Sequence, residues 1–244
     1  MIRKFFSIFL RKFFILIYVG LLYLLTLIPG PFTFGAANTA LAAVSRSFCL
    51  GEAVFPAHEY LTQFRKNFRR CFLVGFADWI IVAFAFLYTM FVILVAGVAP
   101  SGDVSSGVML FLPYPLLVFY FFARFYLYVM LAALNQDARS AVKNAFRFAI
   151  LGVKRNIPLF LLKLLAGATL YAGMFAGYFV FGNEYAALLL MPYAHLTFIT
   201  VYAVYPLIQK YIINPYYEQR GEVNPEITRE QTDSIFKDET KAEY

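Results

Sequence analysis

Six apolar segments, at about 12–29, 31–49, 71–98, 107–134, 158–182 and 185–210, follow one another along the chain with polar connections between them. A bilayer's hydrocarbon core takes roughly 20 helical residues to cross. In lipid every backbone N–H and C=O must be satisfied internally, and a helix does that within one segment. The spacing therefore predicts an all-α, polytopic membrane protein with about six transmembrane helices. Composition agrees, since 61% of the 244 residues are hydrophobic and only 14% are charged. A soluble domain of this length could not bury so much apolar surface.

Charge sets the orientation. The first loop, 50–70, holds Arg65, Lys66, Arg69 and Arg70; the second, 135–157, holds Arg139, Lys143, Arg147, Lys154 and Arg155. The connections at 99–106 and 183–184 contain neither Lys nor Arg. By the positive-inside rule both basic loops, and with them both termini, face the cytoplasm. The basic stretch from Met1 to Lys12 leads into the first apolar run with no A-x-A-like site after it, so that run is expected to stay as a span rather than act as a cleaved signal.

Both basic loops also carry helical periodicity. Leu61, Phe64, Phe68 and Phe72 form an apolar stripe beside the first cluster, and Val142, Ala145, Phe146, Ala149 and Val153 form one beside the second. Two cytoplasmic amphipathic elbow helices are expected, suited to the headgroup boundary. Span, elbow and span in order make the two halves candidates for a tandem repeat. From residue 214 onward the carboxylates Glu218, Glu222, Glu226, Glu230, Asp233, Asp238, Glu239 and Glu243 outnumber the cations. The division is then a helical membrane domain, 1–213, and an acidic, flexible cytoplasmic tail, 214–244.

The second segment differs from the rest. Pro29-Gly30-Pro31 breaks the chain after the first span, and the short run that follows has almost no side-chain bulk. Gly35, Thr39 and Ala43 recur every four residues and line one helix face that a neighbouring backbone can approach closely. The segment reads as a packing spine, either a short crossing or a re-entrant half-helix. Thr169, Gly173 and Gly177 repeat the pattern in the fifth segment, and either face could meet a helix of the same chain or of a partner.

Ionisable groups inside apolar segments are costly and mark functional candidates. Asp78 and Arg124 lie at intermediate depths and could pair, as a structural ion pair or as a proton or substrate site. Lys163 is expected to snorkel, and His195 to be a neutral imidazole bonded to a neighbouring helix. Pro113, Pro115, Pro192 and Pro206 are candidate kinks. Cys49 and Cys71 read as a reduced pair. No catalytic signature, metal-ligand spacing, nucleotide fingerprint or nucleic-acid module occurs in the sequence. The expectation is a non-enzyme with no catalytic residue, metal or cofactor, whose partners are lipid and protein rather than nucleic acid.

The first 76 residues carry a recognisable pattern. The first span runs into L-x-P-x-x-x-T-x-G-A-A-x-x-A-L from Leu27 to Leu41, then Gly51-Glu52, then an F-R-K-N-F-R-R elbow at Phe64 to Arg70. This resembles the YesL family of bacterial integral membrane proteins, whose domain has no assigned function. The resemblance implies a Gram-positive cell membrane and the company of ABC importers for oligosaccharides. On that basis the chain is expected to be an accessory subunit bound to importer permease subunits, with homo-oligomers not excluded. The alternative is a small independent transporter or channel using Asp78, Arg124 and His195.

Overall fold

The computed structural model describes residues 2–98, 111–134, 136–181 and 192–226, and among them every regular element is helical. In chain order these are α1 (Ile2–Thr26), a 3-10 turn at Gly30–Phe32, α2 (Phe34–Cys49), α3 (Pro56–Val98) and α4 (Tyr114–Ala133). Then come α5 (Ala138–Leu151), α6 (Val153–Phe181), α7 (Pro192–Ile208), a π-helical turn at Gln209–Ile213 and α8 (Asn214–Glu218). Among the described residues four stretches are long and apolar enough to cross a membrane: Phe5–Thr26, Pro56–Leu94, Tyr114–Ala133 and Pro192–Glu218. Large apolar side chains stand outward on them, among them Phe14, Leu73, Leu94 and Leu116. Residues 107–110 and 185–191 of the expected segments lie outside the described residues.

Local chemistry explains the breaks. Pro29 and Pro31 cannot continue α1, and Gly30 takes φ +68°, a left-handed conformation open to glycine at no steric cost. Gly51, at φ +75°, ends α2 while the Glu52 amide bonds back to the Ser47 carbonyl at 2.9 Å. The expected elbow at 57–72 is not a separate helix. It forms the first turns of α3, which starts on Pro56 and runs 43 residues, about 65 Å of helix and more than twice the hydrocarbon thickness. The stretch expected as a second elbow, 138–155, is divided: Val153 belongs to α6, and α5 is a separate helix that ends at Leu151. Asp137 caps it by accepting from the Ser140 amide at 3.1 Å, and those Ser140 contacts hold the Asp137 carboxyl below the usual carboxylate range. Gly152 then separates α5 from α6, because a Cβ there would collide with the Tyr126 hydroxyl.

Residue pairings make successive long elements antiparallel. Tyr23 of α1 meets Asn38 of α2, while Leu16 and Leu41 share one cluster deeper in. Gly35 of α2 meets Gly75 of α3, and Thr39 meets Cys71 one turn earlier. Asp78 pairs with Arg124 of α4, whereas Arg70 reaches the Leu134 carbonyl. Phe122 packs on Phe160 of α6, and Tyr126 bonds Asn156. Finally Arg155 reaches the Ala203 carbonyl of α7. The short α2 runs through the middle, with 13 of its 16 residues buried. One apolar cluster joins it to α1 around Leu16, Val19 and Phe198; another gathers round α4 at Tyr126, Met130 and Leu131.

The prolines act mostly as starters. Pro113 and Pro115 open α4 and Pro192 opens α7, whereas Pro206 sits inside α7 just before the π turn. The acidic tail begins as folded structure. Glu226 pairs with Arg46 at the end of α2, and its carboxylate oxygens lie 2.8 Å from the Tyr205 hydroxyl and the Gln209 amide. A boundary at 213/214 thus cuts through a unit that continues to Glu226; the remainder, 227–244, lies outside the described residues.

Candidate functional site

The polar centre is assembled from α3 and α4. Tyr120, Arg124 and Tyr128 stand four residues apart, so one face of α4 presents all three to the same point. Asp78, 1% exposed, occupies that point from α3. Arg124 Nε lies 2.9 Å from both Oδ1 and Oδ2, Tyr120 donates to Oδ1 at 2.6 Å, and Tyr128 donates to Oδ2. The guanidinium carbon also sits 5.6 Å from the ring centroids of Phe34 and Tyr128. Both carboxylate oxygens of Asp78 are thus met by donors from one face of α4. The arrangement is a buried ion pair that ties α3 to α4.

A second polar layer lies beside it. Asn38 of α2 accepts from Tyr193 at 2.8 Å and from Tyr23 at 3.4 Å, and donates to the Phe34 carbonyl at 2.7 Å. The two tyrosine rings stack with centroids 4.9 Å apart. The sequence reading missed these tyrosines and Asn38. The Tyr120–Arg124–Tyr128 spacing was available as a signal; the Asn38 contacts, made across 155 positions to Tyr193, were not.

Two cavities flank Arg124. One, of about 320 Å³, is enclosed by α3, α4 and α5 and touches Asp78, Tyr120, Val142 and Phe146. The other, of about 380 Å³, lies between α4, α6 and α7 and is lined by Phe121, Phe125, Phe160, Lys163 and Tyr193. Lys163 departs from the expected snorkelling. It lines this cavity with its Nζ 4.6 Å over the Phe125 ring, and no described residue accepts a hydrogen bond from it. His195 belongs elsewhere. Its Nε2 lies 3.2 Å from the Phe13 carbonyl and its ring rests against Phe9 and Phe13, so it faces α1 and not the Asp78–Arg124 pair.

The two small-residue faces have different surroundings. Gly35, Thr39 and Ala43 are buried within the chain. A Cβ on Gly35 would lie 2.8 Å from the Gly75 Cα, and the Thr39 hydroxyl reaches Cys71 Sγ at 3.3 Å. Thr169 is exposed and, among the described residues, bonds its own helix at the Ala166 carbonyl. Gly173 and Gly177 fall on α6, where the surroundings lie outside the described residues. Of the basic residues, Arg65, Lys66, Arg69, Arg139, Lys143 and Arg147 are exposed. Arg70 is half-buried and donates to the carbonyls of Leu134 and Gln136, tying α3 to the α4–α5 connection. Cys49 and Cys71 are not joined in a disulfide, and Cys71 is fully buried, receiving the Thr39 hydroxyl at its Sγ. Among the described residues no three of His, Cys, Asp and Glu gather as metal ligands would. No family model matches the chain, and no curated protein or solved structure matches it either.

Proposed function

We propose that this chain is a non-enzymatic accessory subunit of the bacterial cell membrane, working beside an ABC-type carbohydrate importer. The observation that carries the reading is the contrast between its two small-residue helices. The face on α2 is used up against α3, whereas α6 stands with Leu161, Leu164, Leu165 and Thr169 exposed. A partner helix seated on α6 would cover that side, and small residues favour close helix contact in lipid. The importer itself is named by the resemblance of residues 27–70 to the YesL family.

In this reading six antiparallel segments cross the membrane, with both termini, the front of α3 and α5 in the cytoplasm. The 16 residues of α2 amount to about 24 Å, short of a roughly 30 Å core. A short helix is tolerated there because protein, not lipid, surrounds it. The test is recovery of the tagged chain from its native membrane in mild detergent. Importer permease or ATPase subunits should come with it in stoichiometric amount and be lost from the Gly173→Leu, Gly177→Leu variant. Recovery of the chain alone would reject the accessory role.

One observation favours a second reading, a small transporter. Asp78 and Arg124 stand between two cavities, as groups on a solute path would. Solute flux into liposomes holding only this protein would support that reading over the first.

A further inference from the structure

The cavity between α4, α6 and α7 has an apolar body and a cationic wall. Phe121, Phe125, Phe160, Leu164 and Leu196 supply the first; Arg124 and Lys163 supply the second. Arg124 commits only its Nε to Asp78, and no described residue accepts from its two terminal nitrogens. Those nitrogens are not sealed away: the side chain keeps 15% of its surface open. Lys163 lies on the same cavity wall without a carboxylate partner among the described residues. A smaller chamber, of about 30 Å³, continues the space and is bordered by Arg124, Lys163 and Tyr193. One carboxylate against two cations leaves a single positive charge uncompensated in an apolar setting, and such a charge calls for a counter-ion.

We infer that this cavity binds a single-chain amphiphile with a carboxylate head, the head held by Lys163 and the terminal nitrogens of Arg124 and the chain laid along the phenylalanines. One negative charge balances the site. A volume of about 380 Å³ lies at the small end of ligand cavities, room for one hydrocarbon chain rather than the two of a bilayer phospholipid. Entry is lateral, between the helices. Leu164 and Gly167 line the cavity and are exposed at the molecular surface, so a chain can slide in from surrounding acyl tails without crossing water. The inference is independent of the accessory role, since it needs only the purified chain.

The experiment is equilibrium binding of tritiated palmitate to the full-length protein purified in detergent. Saturable binding is expected at one site per chain, with hexadecanol a poor competitor. Lys163→Met should weaken it roughly tenfold or more, as loss of a charge-assisted hydrogen bond does, while Lys163→Arg restores it. Lys163→Met should also raise the unfolding temperature of the ligand-free protein, because it removes the uncompensated charge. Gly167→Leu serves as the second variant. A Cβ there meets nothing within 4 Å, so the leucine is accommodated without a clash, and its bulk at the cavity's lateral opening should weaken binding with both cations intact. Equal competition by hexadecanol, or undiminished binding in Lys163→Met and Gly167→Leu, would overturn the inference. Full displacement of palmitate by phosphatidylglycerol at equal mole fraction would also overturn it, by assigning the space to a bilayer lipid.

Discussion

The α2–α3 seam and the α4–α6–α7 cavity both place polar groups among apolar helices, and they do so in opposite ways. At the seam two glycines bring backbones together, and the polar side chains of Asn38 and Thr39 are answered within a turn or across the contact. Thr39 bonds the Gly35 carbonyl at 2.8 Å, Asn38 the Phe34 carbonyl, and Cys71 receives the Thr39 hydroxyl. At the cavity the side chains are large, the helices stand apart, and of two cations only Arg124 is paired, with Asp78, while Lys163 has no carboxylate partner among the described residues. Closed packing with satisfied polar groups is what stabilises a fold. Open packing with spare charge is destabilising unless something fills it, so it marks a place for a ligand or partner.

Two substitutions test this contrast, the costlier first. Asp78→Asn keeps the shape but turns one acceptor oxygen into an amide donor and leaves Arg124 without its anion. Breaking one partner of a buried pair costs about 3–5 kcal/mol. The double variant Asp78→Leu, Arg124→Leu should recover most of that, because it removes both charges together. Equilibrium unfolding in detergent reads both, and an Asp78→Asn protein as stable as the parent would show that the pair compensates nothing. Gly35→Ala is expected to cost less, about 1–3 kcal/mol, the usual range for overpacking. Its Cβ presses on backbone, the Cys71 carbonyl and the Gly75 Cα, which cannot swing aside as a side chain could. Alanine is the better helix former, so unchanged or improved stability would mean that the seam is looser than described.

Much of the helical layout can be read in the sequence because its signals are local. Pro29-Gly30-Pro31 forces a stop, the small-residue run from Gly35 to Ala43 permits burial on every side, and Asp78 with Arg124 stand out as charges in apolar surroundings. The elbow at 57–72 misleads because periodicity reports a face and not an end. No proline or glycine lies between Pro56 and Gly75, so the amphipathic stretch runs straight into the span. At Gly152 a breaker is present, and the stripe drawn on to Val153 runs past it into the next helix. Contacts set by distant packing were not legible. Asn38 with Tyr193, Arg46 with Glu226, and the turning of Lys163 into a cavity each depend on which helices become neighbours. The Lys163 expectation relied on chain position alone, and position does not show that α6 leaves room beside α4.

The most direct measurement compares thiols in the two regions. Cys71, fully buried in the α2–α3 seam, and Lys163→Cys, on the cavity wall, can be followed in one protein that also carries Cys49→Ser. Labelling with a small membrane-permeant maleimide, read by mass spectrometry of peptides, gives a rate for each. A closed seam and an open cavity predict that position 163 reacts at least roughly tenfold faster, since local opening of packed core is the slow step at Cys71. Equal rates, or faster reaction at Cys71, would contradict the division of the molecule into a sealed half and a receptive one.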